Sequence, residues 1–121
     1  MMSTGAAKNE QVWFRLGVEL DDNLTLFHIG DSPNLKVLQD IVEGYIEYVP
    51  SHWLSGSPNR QFSFKGDDFQ IVNMIVNEEG KVRDLPFNIR ATSRVYPHDR
   101  IHGCVIYETR CIGHSKQEVI K

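Results

Sequence analysis

The chain has 121 residues, 40% of them hydrophobic and 24% charged, with a formal net charge of −3. That length holds one domain with a real core and leaves no room for a second. Thirteen basic against sixteen acidic residues supply neither the basic stripe of a sequence-independent nucleic-acid binder nor the charge density of a DNA mimic, since a duplex carries one charge per ~1.7 Å of axis. No apolar run approaches the ~20 residues that span a bilayer, so a membrane partner is not expected. Residues 1–10 are small and polar without the apolar core of a secretory signal, and are expected to form a flexible leader. Residues 11–121 then form a single domain, expected in the cytoplasm. The two cysteines, Cys104 and Cys111, are too few for a disulfide framework. They read as buried, reduced thiols, and their odd spacing places them on opposite faces of one strand.

Val12, Phe14, Leu16, Val18 and Leu20 alternate with Trp13, Arg15, Gly17 and Glu19, a period of two that predicts a strand with one apolar face. Asp21-Asp22-Asn23 supplies a turn, and Leu24 to Ile29 reads as the returning strand. Ser32 and Pro33 read as the cap and first residue of a helix that buries Leu35, Leu38, Ile41 and Val42, with Gly44 as its left-handed end. Tyr45 to Val49 is rich in β-formers and stops at Pro50. Residues 51–67 form a long excursion with one short strand near Gln61–Phe64. Phe69 to Val76 is apolar on both sides, the mark of a central strand. Asn77-Glu78-Glu79-Gly80 predicts a hairpin turn with Gly80 in the left-handed position of a bulge. After Pro86, Asn88 is placed to cap a short helix running to about Tyr96. Ile101 to Thr109 predicts a last strand, interrupted at Gly103. Helices this few cannot cover both faces of a doubly wound sheet. The expected fold is therefore α+β, a mostly antiparallel sheet of about five strands with one or two helices packed on one face.

Several constellations invite chemistry. Glu78 and Glu79 stand side by side, but paired acid–base carboxylates need environments that separate their pKa values, and turn residues share solvent. His98 and His102 lie four apart across Pro97, outside helical geometry, and His28, His52 and His114 are isolated, so no metal site is expected. No phosphate-cradling glycine loop or nucleophile elbow is present, and no cofactor is expected. A catalytic reading on Cys104, His102 and Glu108 ranks last. Arg90 and Arg94, one helical turn apart beside the amides at Asn88, read first as a solvated basic face paired to Asp84 or Glu79, and they are also the one arrangement suited to an anion. Glu47 shares a strand face with Tyr45. If that face is buried, Glu47 needs a partner such as Arg90.

Leu38-Gln39, Gly44-Tyr45-Ile46-Glu47, Val76-Asn77-Glu78-Glu79-Gly80-Lys81, Leu85-Pro86-Phe87-Asn88 with Ala91-Thr92, and Gly103 leading a strand follow one another in order. Together they resemble a small uncharacterised family found in bacteriophages, large DNA viruses and bacterial mobile elements. Glu43 departs from the pattern, standing where that family more often carries a second glycine. The resemblance implies an accessory role in the infected host cell and names no reaction, cofactor or substrate. With the helix start at Asn88, it suggests a non-enzymatic protein that sequesters a small anionic ligand or a host protein. The expected ligand-binding residues are Asn88, Arg90 and Arg94, with Glu47, Asn77 and Trp53 near the rim. The alternative is a structural or assembly protein such as a minor virion component, and self-association is compatible with either.

Overall fold

A computed structural model of the chain describes residues 11–16, 26–30, 32–54, 60–95 and 100–114. In chain order these form β1 (Gln11–Leu16), β2 (Leu26–Gly30), α1 (Leu35–Val42), β3 (Ile46–Val49), a 3-10 turn (Ser51–Trp53) and β4 (Gln61–Phe64). Then come β5 (Asp67–Asn77), α2 (Ile89–Thr92) and β6 (Val105–His114). Every strand pairing is antiparallel. The six-stranded sheet runs β2-β1-β6-β5-β3, and β4 also pairs with β5. Because β5 has eleven residues, its outer side serves two strands. Its first part pairs with β4 and its last four residues pair with β3. This is the antiparallel α+β architecture that the strand pattern predicts.

The apolar residues at the centre of β5 and β6 supply both faces. On one face Leu38 and Val42 of α1 pack against Trp13, Ile75 and Ile106. On the other, Met74, Val76, Val105 and Tyr107 meet Leu54, Ala91, Val95 and Ile101. The two helices are thus divided between the faces, α1 on one and α2 on the other. Trp13 is buried beneath α1 and its neighbour Phe14 is buried on the opposite side, so β1 is covered on both faces instead of one. Phe14 collects Phe62, Phe64 and Phe69 edge-on at 4.9–5.4 Å between ring centroids, a geometry that the ring quadrupoles favour.

Several boundaries differ from the expected ones, for physical reasons. Asn34, not Ser32, caps α1, accepting from the Val37 amide at 3.0 Å; starting at Leu35 directs Leu38 and Val42 into the sheet. Glu43, not Gly44, takes the left-handed end at φ 67°. Gly44 is instead needed for space, since a Cβ there would meet Asn77 Nδ2 at 2.7 Å and Arg83 Nη1 at 2.8 Å. β4 and β5 are joined by Lys65 and Gly66, both at positive φ (52° and 87°), as a two-residue type I′ hairpin requires.

The turn after β5 begins as predicted, with Asn77 Oδ1 accepting from the Glu79 amide at 2.7 Å and the Asn77 carbonyl from Gly80. It does not return as a hairpin. Backbone bonds from Arg83 to Glu79, Asp84 to Lys81 and Leu85 to Gly80 coil it onward, until Asp84 ends it at φ 58°. Gly80 is required not for a left-handed φ but because a Cβ would stand 2.7 Å from the His102 carbonyl. Asn88 caps α2 as predicted, but α2 is one turn long, Ile89–Thr92; Tyr96 lies outside the described residues. The last strand starts at Val105, after Gly103 turns the chain at φ 92°. Cys104 therefore lies outside the strand and is only half-buried, whereas Cys111 is buried, and both are free thiols.

Candidate functional site

Three asparagine- and arginine-centred clamps build a corner at the outer edge of the sheet. Asn77 is buried and its Nδ2 donates to the Val42 carbonyl at 2.9 Å. Arg83 donates to the Glu43 carbonyl at 2.6 Å. Together they satisfy carbonyls at the end of α1 that have no partner within the helix. Asn88, fully buried, accepts from Ala91 N–H at 2.9 Å and donates through Nδ2 to the Gly103 carbonyl at 3.0 Å. Its own amide donates to the Ile101 carbonyl. The coil over residues 78–84 and the stretch over 100–103 are therefore tied to α1, α2 and each other.

Between them and β3 opens a cleft of about 910 Å³, within the size range of small-ligand sites. Val49 and Val76 contribute apolar surface from the sheet, and Ile101 and Val82 from the connecting chain. Glu47 and Glu78 also line it, one from β3 and one from the chain just beyond β5. Lys81 enters from the coil, Arg100 and His102 from the return, and His52 and Trp53 from the 3-10 turn. His102 Nδ1 lies 2.8 Å from the Leu85 carbonyl. A carbonyl only accepts, so the imidazole carries its proton on Nδ1 and its Nε2 is an acceptor when neutral. The edge of Phe87 packs against the same ring at 5.5 Å, and Arg100 stacks on Phe87 at 5.1 Å.

The structure divides the residues expected to bind a ligand. Glu47, Asn77 and Trp53 line the cleft, but both ends of the Asn77 amide are spent on backbone, so it acts as wall. Asn88 is likewise spent. Arg90 is exposed, while Arg94 is buried, its guanidinium 5.3 Å from the Tyr107 ring and 5.9 Å from that of Phe62. α2 ends before Arg94, so the two arginines do not form a shared outer face. Glu47 is exposed and needs no buried partner.

Beneath Arg94 the Tyr107 hydroxyl is buried without a well-formed hydrogen bond. Burial raises its pKa from 10.0 to about 12, with the Arg94 charge pulling the other way.

Glu78 and Glu79 are both exposed. The residues of the catalytic reading are separately engaged: Cys104 Sγ lies 3.9 Å from Arg15 Nη2, Glu108 accepts from Asn73 at 2.6 Å, and His102 binds Leu85. No group of three or more metal-ligating side chains occurs among the described residues. No helix among them is long and apolar enough to cross a membrane. Sequence reading missed Lys81, Arg100, His102 and His52 as members of one site. They come from three separated segments that only the clamps bring together, and no spacing in the chain announces it. No family model, curated protein or solved structure matches the chain.

Proposed function

We propose that this chain is a non-catalytic accessory protein that sequesters a small anionic ligand in the cleft beside β3. The observation that carries the reading is the meeting of Lys81, Arg100 and His102 with Trp53 around an open volume of about 910 Å³. The anion-binding role expected for Asn88, Arg90 and Arg94 moves to those cationic groups, while Glu47 and Trp53 keep their places. The family resemblance supports a viral or mobile-element setting, in the cytoplasm of an infected cell, where a host protein is the other candidate for capture.

A thermal-shift panel of inorganic phosphate, citrate, dicarboxylates and nucleotides tests the proposal. At least one anion should raise the melting temperature in proportion to the logarithm of its concentration, and Lys81→Ala should weaken the effect. No stabilisation by any of them removes the ligand reading.

A second reading, as an assembly protein, draws on exposed apolar surface along the same edge: Tyr45, Tyr48, Trp53 and Val82 are 68%, 54%, 48% and 87% exposed. Such surface suits a protein contact. Light scattering that shows concentration-dependent self-association, abolished by Tyr48→Ser, would favour it.

A further inference from the structure

We infer that the ligand of this cleft is a guanine nucleotide, an inference that rests on the binding reading and names its ligand class. Glu47 stands opposite Val76 in the register of β3 and β5, and the Glu78 amide donates to the Tyr45 carbonyl just beyond that pairing. Two residues along each chain restores the same side of a sheet, so both side chains rise from one face, diagonally across the β3–β5 ladder. Neither carboxylate makes a hydrogen bond or ion pair with a described residue. Ionised, they accept hydrogen bonds and cannot donate. A ligand that is anionic throughout would meet them as like charges. The fitting ligand carries its negative charge at one end and a donor-rich edge at the other.

Lys81 comes from the coil that begins at Glu78 and Arg100 from the return to β6; both line the cleft and donate only, which suits a phosphate. Trp53, half-exposed at the rim, offers a face on which a flat ring stacks. Among the bases, guanine alone presents two adjacent N–H donors, N1–H and the N2 amino group, which one carboxylate can accept together. Adenine and cytosine put a ring acceptor beside their amino group, and uracil flanks its one donor with carbonyls. The carboxylates thus select the base, the indole holds its plane and the cations hold the phosphate.

The test is a titration of the full chain with guanosine monophosphate, adenosine monophosphate, guanosine and inorganic phosphate, followed by tryptophan fluorescence and calorimetry. A correct bidentate contact discriminates by roughly tenfold or more. The guanine nucleotide should therefore bind at least about tenfold tighter than the adenine nucleotide and tighter than guanosine, with quenching that Trp53→Ala removes. Glu47→Gln with Glu78→Gln should abolish the guanine preference while leaving phosphate binding intact; both side chains are exposed, so the fold is not at stake. Equal affinity for the two nucleotides, with phosphate still bound through Lys81, would overturn the guanine assignment and leave the binding reading standing. Silence from all four ligands, in chain shown to be folded, would overturn the guanine assignment, and silence from citrate and the dicarboxylates as well would overturn the binding reading with it.

Discussion

Asn88→Ala tests the clamp that joins α2 to the chain entering β6. The wild-type amide is fully buried and makes two side-chain hydrogen bonds, from the Ala91 N–H at 2.9 Å and to the Gly103 carbonyl at 3.0 Å. Losing the cap costs about 1 kcal/mol. Leaving a buried carbonyl without its donor costs a further ~1–3 kcal/mol, so the total is about 2–4 kcal/mol. For a domain of this size, one kcal/mol moves the melting temperature by about 4 °C, which predicts a fall of roughly 8–16 °C. Asn34→Ala is the control. Asn34 caps α1 in the same way, but on the exposed surface and with one side-chain bond, so it should lose about 1 kcal/mol. Urea unfolding of the three proteins reads both changes directly. If Asn88→Ala loses no more than Asn34→Ala, the buried contact to Gly103 contributes nothing and the clamp account is wrong.

Glu43→Gly should stabilise the protein by about 1 kcal/mol, because Glu43 holds a left-handed φ of 67° that costs an L-residue roughly that much; an unchanged urea midpoint would contradict it. Gly80→Ala should destabilise the fold, because its Cβ would stand 2.7 Å from the His102 carbonyl, a backbone atom that cannot swing aside; a melting temperature within error of wild type refutes the close approach. Tyr107→Phe should leave stability at pH 7 unchanged or higher, since the buried hydroxyl has no well-formed partner to lose. With a folded pKa of about 12 against an ordinary 10.0, the tyrosine's contribution is intact below pH 10 and is lost as pH rises towards 12. Between those values wild type should lose stability faster than the variant, by at most about 1.4 kcal/mol per pH unit. Parallel urea midpoints across that range would show that the hydroxyl is solvated.

What the chain discloses of its own structure depends on whether the cause is local. The central strand β5 and the cap at Asn88 are legible because periodicity and side-chain chemistry act within a few residues. The end of α1 is legible in kind but not in place. Gly44 looks like the left-handed residue until the structure shows Asn77 and Arg83 occupying the space where its Cβ would be, a constraint from more than thirty residues away. Gly80 misleads in the same way, its requirement set by the His102 carbonyl. The two-residue turn at Lys65-Gly66 shows little in the sequence, because lysine is an unusual occupant of positive φ. The cleft is the least legible part. Its charged groups come from β3, the coil and the return to β6, and the arginine that looked most available, Arg94, is buried against Tyr107 and Phe62.

The most direct test of the central claim is a nitrogen-15 correlation spectrum of the chain, recorded during titration with the ligand that stabilises it most. If the motif residues build the frame and the cleft does the holding, shifts should concentrate at residues 47–53, 76–82 and 100–102, including the Trp53 indole. The amides of residues 88–94 should then stay nearly still. Saturable shifts centred on Asn88, Arg90 and Arg94, with the cleft unmoved, would contradict the account.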